Sequence, residues 1–197
     1  MQVKLEKTIE IGAPAAAAWK VIQDVDNVAA CMPGAEITAR IDGTHYQGRV
    51  KVKVGPVVAN FKGQLEILSM DAEKMALKVR GKGSEEKGAS AASLELSAWV
   101  KPLSPDRCEV GGVQELTLTG KLASFGARMM TQMAEQIADR FAANLSNHVL
   151  AAAGGAHAAA AAAEMRQQPR EFNVLAALAR SLWNLIKSLF GARSKQV

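Results

Sequence analysis

Cysteine is scarce in this sequence of 197 residues, with only Cys31 and Cys108 present, and no CxxC pair or Cys/His cluster accompanies them. A disulfide scaffold and a zinc module are both excluded, and two isolated thiols fit a reducing compartment. The opening MQVKLEKTIEIGAP alternates charges where a secretory signal needs an unbroken apolar stretch, so the expected place is the cytoplasm. Histidine is rarer than acid or base. His45 begins a predicted strand, His148 ends a predicted helix and His157 lies in an alanine-rich stretch, a spacing that builds neither a catalytic triad nor a metal site. No glycine-rich loop opens a helix after a strand, so nucleotide binding lacks its signature. The acids Glu66, Glu95, Glu115 and Asp139 fall on polar alternates or the polar helix face, where solvation explains them. No catalytic residue and no metal ligand is expected.

The net charge of +5 is unevenly placed. Residues 1–163 carry 18 Lys/Arg against 17 Asp/Glu, whereas residues 164–197 carry 6 against 2. A nearly neutral body has no stripe to neutralise phosphates, so nucleic acid is not the expected partner. A short cationic tail suits a negatively charged surface instead.

Composition divides the chain into three parts. Residues 1–150 are regularly periodic, residues 151–168 (AAAGGAHAAAAAAEMRQQ) read as an alanine-rich tether, and residues 169–197 are periodic again and rich in Leu, Trp and Phe. In the first part, Val3 to Ile11 alternates apolar and polar, Gly12 and Pro14 break the strand, and AAAAWKVIQ and DVDNVAAC read as two short helices ending at Met32-Pro33-Gly34. Period two then dominates. Tyr46 to Val54, Ala59 to Ile67, Met75 to Val79, Leu94 to Val100 and Val110 to Leu118 each show one apolar and one wet face, separated by turn residues. Six or seven antiparallel strands follow.

From Leu122 to Val149 no proline occurs, and Phe125, Met129, Met133, Ile137, Phe141 and Leu145 recur every four residues, which predicts one long amphipathic helix. Both apolar surfaces can be hidden if the sheet curls around this helix. The predicted fold class is α+β, a helix-grip architecture in which a curved antiparallel sheet of six to seven strands wraps a long C-terminal helix, with a separate amphipathic tail helix.

Local strings carry a resemblance. Trp19 followed by Asp24, Cys31-Met32-Pro33-Gly34-Ala35, Tyr46-Gln47-Gly48, Val52-Lys53-Val54-Gly55-Pro56, Phe61-Lys62-Gly63 and Gly120-Lys121-Leu122-Ala123 with Gly126 and Arg128 are similar to the G-subunit family of carbon monoxide dehydrogenase. The order of elements resembles the START-like helix-grip superfamily of polyketide cyclases and lipid-transport proteins. The resemblance covers roughly residues 1–150. It implies an accessory protein of aerobic molybdenum hydroxylases of the carbon monoxide dehydrogenase type, one that helps place them at the inner face of the cytoplasmic membrane. It also implies a cavity between sheet and helix that holds apolar molecules.

The inward alternates that would line such a cavity are Val50, Val52, Phe61, Gly63, Leu65, Leu77, Leu94, Leu96, Leu116 and Leu118, faced by Phe125, Met129, Met133 and Ile137 from the helix. Gly48, Gly63 and Gly112, with Ala59, Ala92 and Ala98, interrupt them. Small residues on an inner face either let a sheet bend or leave a void, and pattern alone does not choose.

In the tail, a helical wheel over residues 172–191 sorts cleanly. Asn173, Ala177, Arg180, Ser181, Asn184, Lys187, Ser188 and Gly191 fill one arc, while Phe172, Val174, Leu175, Leu178, Leu182, Trp183, Leu185, Ile186, Leu189 and Phe190 fill the other. A transmembrane span would hold Arg180 and Lys187 unpartnered in the bilayer at roughly 2.5 to 3.5 kcal/mol each near its centre. A helix docked on protein and an in-plane membrane helix remain, and the cations on the polar arc fit the latter.

These readings converge on a peripheral membrane protein without covalent cofactor or metal. It would bind an apolar, membrane-derived molecule, a lipid or a respiratory quinone, and present it to the hydroxylase. The alternative is a non-carrier adaptor that only recruits the same enzyme to the membrane. A cyclase or hydrolase of this fold would need an inward polar cluster.

Overall fold

The structure, a computed structural model, describes residues 1–54 and 57–154. Strand β1 (Gln2–Ile11) is followed by helices α1 (Ala15–Ile22) and α2 (Val25–Cys31), then by β2 (Ala35–Arg40), β3 (His45–Val54), β4 (Val57–Asp71), β5 (Ala76–Glu85), β6 (Ser90–Ser104) and β7 (Arg107–Gly120), and finally by α3 (Ala127–Ala153). The short helices form where the sequence punctuates. Pro14 precedes α1 in an extended conformation, and the Asp24 carboxylate caps α2 by accepting from the backbone N–H of Asp26 at 3.0 Å and of Asn27 at 3.3 Å.

All seven strands join one antiparallel sheet in the order β1-β7-β6-β5-β4-β3-β2, so the first strand in sequence lies beside the last. The β1–β7 ladder runs without a break from Gln2 opposite Thr117 to Ile11 opposite Cys108. Helix α3 crosses the inner face along β1. The predicted architecture of the body is therefore present: a curved antiparallel sheet gripping a long helix.

The long helix begins later than its apolar period suggests. Lys121–Phe125 form a single 3-10 turn, and Gly126, at φ +83°, separates that turn from α3. The other end reaches Ala153, three residues into the alanine-rich stretch, where Gly154 adopts the left-handed conformation that stops a helix. The remainder of the tether and the amphipathic segment lie outside the described residues.

Two packed clusters fill the ends of the grip. In one, Ile11 of β1, Trp19 and Ile22 of α1, Cys31 of α2, and Val100, Cys108 and Val110 of β6 and β7 surround Leu145 and Val149 of α3. In the other, Val3, Ala59, Leu118 and Leu122 surround Met130, Met133 and Ala134. Between them lies the middle of the sheet.

Candidate functional site: the inner face between two packed ends

Two rows of cross-strand neighbours traverse the middle of the inner face. One runs Leu65, Gly81, Leu94, Leu116, Val3; the next runs Ile67, Val79, Leu96, Gln114, Leu5. Strand alternation places both rows on the side of buried Leu118 and Val110. Leu5, Leu65, Ile67, Leu94 and Leu96 are only half-buried and pack into neither cluster. They form an apolar band on the inner face that belongs to neither packed cluster. An apolar surface of this kind can hold an apolar guest.

The sequence-predicted inward residues reach this face and then divide. Leu65, Leu94 and Leu96 form the band itself. Leu77 is buried in the first cluster and Leu118 in the second, where Val52, Phe61, Leu116, Phe125 and Ile137 pack around buried Met133. Val50 stands opposite Phe61 at the β3–β4 side. Met129 departs from the expectation. It is 37% exposed, and its neighbour Met130 is fully buried in its place. The rest of the stripe in α3, Met133, Ile137, Phe141 and Leu145, is buried or packed against a cluster, so the departure is confined to the first turn after Gly126.

Gly63 is also corrected: it is a bend and not a void. A Cβ there would lie 2.3 Å from the Lys82 carbonyl oxygen and 2.8 Å from Cα of Gly83, directly across the ladder. The backbones of β4 and β5 approach too closely at this point for any side chain. Gly81, one row along, differs, because a Cβ there would meet the Cβ of Leu94 at an ordinary 3.7 Å.

Sequence pattern left Leu5, Ile67, Lys7 and Gln114 out of the lining. Lys7 stands on the inner side of β1 opposite Gly112 and forms an ion pair with Asp139 of α3. The other candidate acids are paired on the outside. Arg80 meets Glu95 at 3.1 Å and Glu66 at 3.8 Å, and Lys4 meets Glu115 at 3.0 Å. A groove of about 480 Å³ also opens at the outer face, lined by Lys62, Gln64, Lys82, Ser84, Ser93, Thr117 and Thr119 together with Gly63, Gly83, Ala91 and Ala92. Burial pushes the Cys31 thiol up to about 12, raises that of Cys108 and lowers the His148 imidazole. Among the described residues no three His, Cys, Asp or Glu side chains converge on a metal position, and no helix is long and apolar enough to cross a membrane.

The family model for the G subunit of carbon monoxide dehydrogenase (CoxG) matches residues 8–150. The chain belongs to that family. Membership associates this CoxG-family chain with carbon monoxide dehydrogenase in an accessory role. No curated protein matches its sequence. Solved structures share the CoxG-family fold at low identity. A conserved protein from Geobacillus kaustophilus aligns at TM-score 0.68 and 16% identity, covering 75% of this chain and 95% of its own. The Zhui aromatase/cyclase from Streptomyces sp. R1128 aligns at 0.53 and 17%, covering 78% and 94%. A START superfamily protein from Mycobacterium smegmatis aligns at 0.51 and 16%, covering 74% and 96%. At these identities the likeness is one of fold alone.

Proposed function

We propose that the chain is a non-catalytic carrier that takes an apolar molecule, a respiratory quinone, from the membrane and presents it to a molybdenum hydroxylase of the carbon monoxide dehydrogenase type. The observation that supports it is the half-buried leucine band between the two packed ends, which packs into neither cluster. Such an enzyme delivers electrons to the respiratory chain, and a quinone is too apolar to cross water unaided. The amphipathic sequence over residues 172–191 would rest in the inner leaflet of the cytoplasmic membrane.

Purified full-length protein, incubated with quinone-loaded vesicles and re-isolated, should carry quinone detectable by mass spectrometry. A protein that emerges with neither quinone nor lipid overturns the carrier. Gly63→Trp is unsuited to blocking the site, because it would break the sheet where β4 and β5 touch. Leu94→Trp fills the band from one of its own positions, where the residue is half-buried and outside both clusters. It should abolish uptake while leaving membrane association intact; a recruitment adaptor would instead keep full function with that substitution.

A further inference from the structure

In the two rows that cross the inner face, Gln114 is the one polar side chain. It stands between Leu96 of β6 and Leu5 of β1 and is flanked along β7 by Gly112 and Leu116. Among the described residues it has no hydrogen-bond partner. Gln114 is half-buried, so water can answer its amide in the empty band, and a ligand that displaces that water has to supply hydrogen bonds in its place.

The helix brings a second amide to the same level. Gln136 of α3 has its Oε1 sealed from solvent and without a hydrogen-bond partner among the described residues. Its height against the sheet follows from two fixed points. Met133 packs in the cluster that contains Val3, and Asp139 pairs with Lys7. Gln136 lies midway between the two helix residues, as Leu5 lies midway between the two strand residues. Leu5 is the neighbour of Gln114 across the β1–β7 ladder. The two amides, one half-buried and one with its oxygen sealed and unpaired, therefore flank one end of the leucine band, Gln114 from the sheet and Gln136 from the helix.

We propose that Gln114 and Gln136 form the polar end of the band and hydrogen-bond the ring oxygens of a quinone-class ligand in both its oxidised and its reduced form. This rests on the carrier reading given above. Quinone carbonyls only accept hydrogen bonds, whereas quinol hydroxyls donate as well. A lysine or arginine could only donate and an ionised carboxylate could only accept, so either would favour one redox form. A primary amide does both, and turning about its last torsion exchanges the two ends without any change of charge. A carrier that delivers one form and takes away the other needs that even-handedness, and the leucines would hold the tail without regard to redox state.

The test titrates purified full-length protein by calorimetry with three probes: decylubiquinone, the same molecule held reduced under nitrogen, and decylbenzene, which keeps the tail and ring but lacks the oxygens. Quinone and quinol should bind within about threefold of each other and decylbenzene about tenfold more weakly, the size of one lost hydrogen bond or slightly more. Gln114→Leu and Gln136→Leu should each weaken both oxygenated probes about five- to tenfold and leave decylbenzene unchanged. Gln114→Glu supplies a signature that misfolding cannot imitate, weakening quinone while retaining quinol. Undiminished binding of both redox forms by the double leucine variant overturns the polar end. Equal binding of all three probes by the unaltered protein overturns it too while leaving the carrier standing, and binding of none overturns both.

Discussion

Asn144 of α3 donates from Nδ2 to the backbone carbonyl oxygen of Cys31, 2.8 Å away and 113 residues earlier in the chain. The carbonyl belongs to the last residue of α2, one of the groups that a helix end cannot satisfy internally. The long helix thus caps the short one from the side, and both partners are buried.

Replacing Asn144 by leucine should leave that carbonyl unanswered in a dry interior. The expected loss is about 1–3 kcal/mol of stability, read as a lower urea midpoint with the slope unchanged. A variant as stable as the parent would mean that water reaches the end of α2.

Glycine substitutions should separate close approach from open space. Gly63→Ala is expected to destabilise by roughly 1–3 kcal/mol or more, because its methyl group meets β5 backbone that cannot swing aside. Gly81→Ala should change the melting temperature little, and Gly43→Ala, with nothing within 4 Å of the added carbon, likewise. Equal effects at Gly63 and Gly81 would refute the pinch between β4 and β5.

Much of the architecture was legible because alternation in a sheet is a strict period of two. Ladder register puts Leu65, Leu94 and Leu116 in one cross-strand row, on the same side of the sheet as buried Leu118. The start of α3 was not legible, since LASFGARMM continues an apolar helical period and only the positive φ of Gly126 interrupts it. Spacing by four likewise misled at Met129, where the buried position belongs to Met130. Lys7 and Gln114 were hidden for a related reason: each is polar on a face defined by being apolar, so pattern reading discards both. Whether Gly63 marked a bend or a void depended on a distance to β5, and no local string encodes that. The tail's membrane reading rests on residues outside those described.

The ion pair between Lys7 and Asp139 should contribute little, since its side chains are 40% and 62% exposed. A double-mutant cycle with Lys7→Met and Asp139→Asn is expected to give a coupling of about 0–1 kcal/mol at low salt, vanishing in roughly 1 M sodium chloride. A larger, salt-insensitive coupling would show that the pair is sealed by its neighbours.

Acid should weaken the fold through His148. Partial burial near the end of α3 lowers its pKa below the ordinary value of 6.5, so the folded state favours the neutral ring. The unfolded chain therefore binds more protons as pH drops through that value, and the contribution of His148 to stability, present above it, is lost on acidification. Unfolding midpoints measured from about pH 8 to 5 should decline less steeply in His148→Gln than in the parent. Parallel declines would assign the acid sensitivity to other groups.

The two thiols offer a probe of whether the packed end opens. Cys31 and Cys108 are both fully buried in the cluster around α1, and burial has pushed the Cys31 thiol up to about 12. The reactive species is the thiolate, so native protein at about pH 8 should be almost inert to a thiol-specific disulfide reagent, while guanidinium-unfolded protein should release two equivalents. Loading the band with quinone should not change the native rate, because the leucines that would contact it lie outside that cluster. A ligand-dependent change in labelling would instead show that the cluster around α1 and the middle of the sheet move together.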